Sequence, residues 1–339
     1  MIGLGIESSC DETSIGIVEN GNRLKSLKLF SQISLHSEYR GVVPELASRA
    51  HLEKINILFK EAIEEAKIDL KEIDFISVSN RPGLLGSLMI GCQMAKVLSL
   101  TLKKPVISVD HLESHLSVVQ LENNLPPYPF LGVLLSGGNS AIFQVNAPGE
   151  MEVLGDTLDD ALGEAFDKVS SLLNLPYPGG PYIEKKAAEH SPEPEEKSPF
   201  PEILKDGNKI QFSYSGLKTS VLNYIQKNSD FMEKLPFISY HFQNTAFKLV
   251  EKNVKRAVKK TGIKKVVAAG GVLANGTLRN HLKKLASKHK FEIIYPEKKI
   301  LCTDNGAMVA CLGFEFFKKG IFSNLNFKIS PNRENFNEN

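Results

Sequence analysis

The chain has 339 residues, 42% hydrophobic and 24% charged, with a net charge of +2 and a pI near 8.2. That length supports two lobes with separate cores, and the composition excludes a disordered chain. The small net charge neither requires nor excludes a nucleic-acid partner. Basic residues crowd 252–265 and 283–290, where a local positive face and the wet side of amphipathic helices are both open readings.

The cysteines Cys10, Cys92, Cys302 and Cys311 stand far apart and form no C-x-x-C pair. Neither a disulfide framework nor a cysteine-based zinc knuckle is expected, and a reducing compartment fits. The N-terminus opens directly into a strand pattern, and no apolar run reads as long enough to span a membrane. The expectation is a cytoplasmic protein without a membrane partner.

Met1 to Asn22 reads as a hairpin, with strands at Ile2–Ile6 and Ser14–Val18 around the polar turn Glu7–Thr13. Small residues there suit a phosphate, and Asp11 could hold a hydrated Mg²⁺ beside it; an ordinary polar turn is the alternative. Pro44 suits the first turn of a helix running to about Lys67, whose Glu45, Arg49 and His51 read best as surface positions. A strand over 74–79, the glycine-containing turn 80–86 and a helix over 87–100 follow.

Strand-like Pro105–Val109 leads into Asp110, a good helix N-cap. His111 and His115 then lie one turn apart on one helix face and can share a divalent transition metal, or can simply face solvent. Glu113 projects to another side, so the H-E-x-x-H order of zinc peptidases is absent. The best third ligand is Asp304, a lone carboxylate in a short loop before an apolar helix.

The hairpin form returns at Phe130–Leu135, Ser136-Gly-Gly-Asn-Ser140 and Ala141–Val145, with Gly137 and Gly138 offering open backbone N–H groups; a plain glycine hairpin is the alternative. A strand at Lys265–Ala269, two glycines and a helix over 276–288 repeat the later unit. Two hairpins and two strand–glycine–helix units in the same order predict a duplicated α/β protein whose lobes close on a nucleotide. Between them lies an insertion. A helix is expected over 156–169, with Asp159 and Glu164 on a charged face and Asp167 turned inward as a ligand for hydroxyl groups. Pro176–Pro181 is a rigid turn, 189–201 an exposed loop without fixed structure, and the tail from Phe327 a frayed end.

Nine segments in this order resemble the TsaD family of tRNA N6-adenosine threonylcarbamoyltransferases: Ile6–Thr13, Gly41–Arg49, His111–His115, Ser136–Gly138, Ala165–Lys168, Tyr177–Pro181, Phe212–Lys218, Gly270–Asn275 and Thr303–Gly306. The resemblance spans about residues 1–330. It implies an α/β, duplicated actin-like and sugar-kinase-like ATPase fold, with a lobe of 1–108 completed by 305–330 and a second lobe of 109–304 carrying an inserted helical segment of about 156–235. It further implies transfer of threonylcarbamoyl from threonylcarbamoyl-AMP to the adenosine 3′ of the anticodon. Iron or zinc would sit on His111, His115 and Asp304. The adenylate would contact Leu135, Ser136, Gly137, Gly138, Asn139, Asp167, Gly180, Glu184 and Asn275. The implied partners are tRNA, ATP or ADP, TsaB and TsaE, with TsaC supplying the donor. Two positions depart from the family pattern: Asn139 stands where histidine is common, and Arg81 where glycine is. A small-molecule kinase of the same fold and a non-catalytic scaffold are the competing readings.

Overall fold

A computed structural model describes residues 1–39, 41–122, 125–203 and 209–333. In chain order its strands and α-helices are β1 Ile2–Glu7, β2 Glu12–Glu19, β3 Arg23–Ser31, α1 Ile33–His36, α2 Pro44–Ala66, β4 Ile73–Arg81, α3 Leu85–Leu102, β5 Val106–Asp110, α4 His111–Ser117, β6 Phe130–Leu135, β7 Ser140–Ala147, β8 Glu150–Gly155, α5 Leu162–Leu172, α6 Gly179–Ala187, α7 Ser215–Lys227, α8 Leu235–Thr261, β9 Lys265–Ala269, α9 Gly276–His289, β10 Glu292–Ile294 and α10 Gly306–Lys318. The chain forms two compact units. One comprises 1–126, 147–151 and 296–339, the other 127–146 and 152–295.

The first unit is built on a sheet of order β3-β2-β1-β4-β5, with β1–β2 and β2–β3 antiparallel and β1–β4 and β4–β5 parallel. The second repeats that plan as β8-β7-β6-β9-β10, with β6–β7 antiparallel and β6–β9 and β9–β10 parallel. The duplication read from the two hairpins is therefore present strand for strand. It includes β3, β8 and β10, which no turn motif announced.

Within the first unit α10 lies directly on the sheet. A Cβ added at Gly5 would fall 2.0 Å from the Gly306 carbonyl oxygen, and one at Gly16 2.3 Å from Ala307 N. These strand glycines thus admit a helix backbone rather than a phosphate. Asn305 caps α10 by accepting from Met308 N, 3.0 Å, and Gly306 N donates to Ser14 Oγ, 3.0 Å. The loop carrying Asp304 is fixed from both sides. Because α4 packs on α10, the unit boundary falls after 126 and before 296, and α4 belongs with the first sheet. The expected division at 108/109 and 304/305 places α4 in the other lobe; local pattern does not reveal that the histidine helix and the aspartate segment share α10.

Three further expectations are corrected. α3 is 18 residues long with a mean hydropathy of 1.4, enough by length and composition to cross a membrane. One of its faces buries Leu88, Gly91, Cys92 and Ala95 against the first unit, and another leaves Leu85, Met89, Val97 and Leu100 exposed. The tail is not frayed up to residue 333: Phe327 and Ile329 pack on the core, Ser330 N donates to Asn80 O, and Gly83 N donates to Pro331 O. Helix α5 begins at Leu162 rather than Asp156. Asp156 accepts from Thr157 N, 2.7 Å, and Thr157 Oγ1 donates to Asp160 O, 2.8 Å, so side chains compete with the helix ladder there.

Candidate functional site

Asp110 ends β5 and caps α4, its Oδ1 accepting from Leu112 N at 2.8 Å and Glu113 N at 3.2 Å. The whole of α4 is buried, so His111 and His115 do not face solvent. Their rings lie 4.8 Å apart edge to face. Asp304, arriving from the loop before α10, places Oδ1 3.0 Å from His115 Nε2 and Oδ2 3.7 Å from His111 Nε2. The three residues form a group able to hold a metal ion.

The surroundings fit such an ion. His111 Nδ1 faces Glu7 Oε2 at 3.0 Å and Ser9 Oγ at 3.1 Å, which leaves Nε2 on the side of Asp304. Glu7 is itself fixed by the Ser9 N–H on Oε1, 2.6 Å, and the Ser79 hydroxyl on Oε2, 2.6 Å. A carboxylate behind a ligating imidazole sets its tautomer and orientation. His115 is 1% exposed, yet neither of its ring nitrogens has an aligned hydrogen-bond partner among the described residues, despite the short approach of Asp304. A buried imidazole nitrogen without a partner is costly unless something else is bound to it.

The charges point the same way. Burial alone would lower the pKa of His111, but the Glu7 and Asp304 carboxylates outweigh it and raise it to about 9. Burial would likewise raise Asp304, but the two imidazoles hold it down at about 2. The pocket therefore favours positive charge, as a proton or as a divalent cation.

The neighbouring carboxylates divide into different tasks. Burial, with the Asp304 and Asp11 carboxylates beside it, pushes Glu12 well above the usual range. Glu113 is turned away from the imidazoles and accepts from Gly149 N, 2.9 Å, and burial raises it to about 8. His51 is buried rather than on the surface: Nδ1 meets Thr13 Oγ1 at 2.7 Å and Nε2 the Cys10 carbonyl at 2.9 Å, pinning the β1–β2 turn. Arg81 lies 3.8 Å from buried Asp110 Oδ2, which Arg333 also approaches at 3.5 Å, so its charge is held inside the unit.

The residues expected to contact the adenylate all belong to the second unit and are linked to one another. Ser136 N donates to Asn139 O, 2.8 Å, and Asn139 N to Ser136 Oγ, 3.1 Å, so two of the N–H groups expected to meet phosphate are spent inside the turn. Gly137 and Gly138 have no intramolecular acceptor for their N–H groups among the described residues, and a Cβ at either would meet open space. The carbonyls of Ser136 and Gly137 accept from Gly163 N and Glu164 N, seating the turn on the start of α5. Leu135 is buried, and its carbonyl oxygen would lie 2.4 Å from a Cβ at Gly270, whose φ is +98°. On α5, Asp167 Oδ1 accepts from Gly179 N at the start of α6, 2.6 Å, next to the open Gly180. Glu184 on α6 accepts from Gly276 N, 2.7 Å, beside Asn275, the cap of α9. Asp159 is exposed, as expected of a surface charge, and also receives Tyr214 N at 2.7 Å and Ser215 N at 3.2 Å, holding the start of α7. The F-S-Y-S-G pattern was the available signal, since a segment of hydroxyls entering a helix needs an acceptor.

Two sheets of this shared plan define the actin-like and sugar-kinase-like class of α/β proteins. The chain matches HypF in its phosphate- and nucleotide-bound form with a TM-score of 0.61 and 17% identity, covering 95% of this chain and 47% of HypF, about half its length. It matches component A of the Acidaminococcus fermentans (R)-2-hydroxyglutaryl-CoA dehydratase with a TM-score of 0.55 and 15% identity, covering 94% of this chain and 98% of that one. At the level of family, residues 24–311 match TsaD, tRNA N6-adenosine threonylcarbamoyltransferase. Over 336 residues the chain is 55% identical to the tRNA N6-adenosine threonylcarbamoyltransferase of Leptospira interrogans serogroup Icterohaemorrhagiae serovar copenhageni, strain Fiocruz L1-130, covering 98% of this chain and 99% of the relative. The chain belongs to the TsaD family.

Proposed function

We propose that this chain transfers the threonylcarbamoyl group of threonylcarbamoyl-AMP to N6 of the adenosine adjacent to the 3′ side of the anticodon, in tRNAs reading codons that begin with A. The new bond joins N6 to the carbamoyl carbon; the bond broken is that carbon's link to the AMP phosphate oxygen, and N6 loses a proton. Adenosine's exocyclic amine is a poor nucleophile, so positioning and charge stabilisation carry the rate. The observation that best supports this reading is the convergence of His111, His115 and Asp304, with Glu7 behind His111, in a chain of this family.

His111, His115 and Asp304 would hold a divalent iron or zinc ion, which polarises an acyl carbonyl when bound. Glu7 orients His111. The N–H groups of Gly137 and Gly138 receive the charge left on the departing phosphate, while Asp167, Gly180, Glu184 and Asn275 hold the rest of the adenylate. Asp11 is the residue for Mg²⁺ accompanying ATP or ADP. The target base leaves the anticodon-loop stack to react, which costs less in a loop than in a duplex. TsaB and TsaE are the partners of this reading, TsaC supplies the donor, and the tRNA substrate places the reaction in the cytoplasm. The apolar side chains left exposed on α3, Leu85, Met89, Val97 and Leu100, are the surface a protein partner would cover.

Reconstitution with unmodified tRNA, threonine, bicarbonate, ATP and the partner proteins, followed by mass analysis of the nucleosides, tests the proposal. The threonylcarbamoyl nucleoside should form with the native chain and fall at least a hundredfold with His111→Ala. Undiminished formation with His111→Ala would remove the metal centre from the mechanism, and no formation with the native chain would overturn the activity.

A further inference from the structure

A second set of ligating side chains meets in the other unit, remote in sequence from α4 and used by none of the chemistry above. His190 follows α6, Glu196 sits in a turn closed by its own N–H on the Glu193 carbonyl, 3.1 Å, and His241 is on α8. Glu196 Oε1 lies 2.8 Å from His190 Nε2 and 2.7 Å from His241 Nε2, and the three ligand atoms all fall within 4.8 Å of one another. Aromatic rings set the planes of both imidazoles. Phe237 is 5.4 Å from His190 and 4.4 Å from His241, and Tyr240 is 5.0 Å and 5.2 Å from them, centroid to centroid.

We propose that His190, Glu196 and His241 form a second metal site, for a zinc-like divalent ion, which staples the 189–201 segment to α8. Two imidazoles and a carboxylate are a ligand set that zinc accepts, with water completing the tetrahedron. Zinc bonds of about 2.0–2.1 Å imply ligand-to-ligand edges of about 3.3 Å, so the present nitrogen-to-oxygen spacings need widen by only about half an ångström. The side chains are 15%, 19% and 6% exposed, open enough for an ion to enter and sheltered enough to retain it.

The staple has a physical purpose. Residues 191–200 contain no helix or strand and are rich in Pro and Glu, a composition that does not hold a conformation by itself. Apart from this cluster, the segment is tied to α8 by Ser198 Oγ against Thr245 Oγ1, 3.2 Å, and anchored by buried Phe200. One ion joining the end of α6, the loop and α8 replaces ordering that the loop's own residues do not supply.

The discriminating variant is Glu196→Gln, whose amide oxygen still accepts a hydrogen bond but is a poor zinc ligand. Zinc is the probe, titrated into the full chain against a chromophoric chelator, with limited proteolysis of the 189–201 segment followed in parallel. E196Q should bind one zinc equivalent fewer than the native chain. The double variant His111→Ala/His115→Ala should keep one equivalent, which adding E196Q removes. Zinc should slow cleavage within 189–201 several-fold in the native chain and in the double variant, but not in E196Q. Equal stoichiometry in native and E196Q proteins, or zinc-independent cleavage of the native loop, would overturn the proposal. His190→Ala, at the more exposed of the two histidines, repeats the test if E196Q proves unstable.

Discussion

A single carboxylate, Glu7, decides which nitrogen of His111 is offered to Asp304. With its oxygens fixed by Ser9 N and Ser79 Oγ, it holds His111 Nδ1, and the ring cannot turn without breaking that contact. Glu7→Gln should therefore weaken metal retention about 10–100-fold, read by competition with a chelator, while leaving the fold intact. Glu113, one turn-face away, has a structural task. Its pKa is raised to about 8, so between pH 4.5 and 8 the folded chain keeps a proton that the unfolded chain releases, and stability falls as pH rises through that window. Glu113→Gln removes the loss. Its melting temperature should exceed that of the native chain by more at pH 8 than at pH 5, with threonylcarbamoyl transfer little changed. At this scale the histidine pair and Asp304 were legible from spacing and from a lone carboxylate before an apolar helix. The roles of Glu7, Glu113 and His51 were not, because a side chain's partner across the sheet is invisible to local pattern.

Helix α10 shows how an element with no chemistry of its own positions the site. Its first turn lies on Gly5 and Gly16 with no room for a side chain between, and Asp304 stands two residues before it. Gly5→Ala should destabilise the protein by about 3 kcal/mol in urea unfolding, since the new methyl meets backbone rather than a movable side chain. The measurement fails the argument if the loss is below about 0.5 kcal/mol. Helices α2 and α9 fall within two residues of their expected bounds because Pro44 and Asn275 mark their starts. Helix α5 starts later than its carboxylate-rich pattern implies because Thr157 bonds to its own backbone neighbourhood, and local composition does not show the anchors of the 189–201 loop because His241 and Thr245 lie more than forty residues beyond the residues they hold.

For the molecule as a whole, the tail closes the first unit. Asn80 Nδ2 donates to the Lys328 carbonyl, Ser330 and Pro331 pair with the β4 end, and Arg333 reaches Asp110 and the Met151 carbonyl. Ending the chain after Phe327 should lower the melting temperature by roughly 5 °C. The truncated protein should also lose bound metal more readily, because Asp110 caps the helix that carries both imidazoles. A truncated chain as stable as the native one would show that these contacts contribute little.

By itself the sequence determined the two hairpins, the two strand–glycine–helix units, the duplication they imply and the His111–His115 pair, because periodicity, caps and turn residues are local properties of a chain. The tertiary structure alone decided that α4 belongs with α10 and that Glu7 stands behind His111. It also decided that the Ser136 and Asn139 N–H groups are consumed within their own turn, and that the apparently free loop converges on α8. Each of these depends on which distant segments share a core, and that follows from packing summed over the whole fold rather than from any short stretch of it.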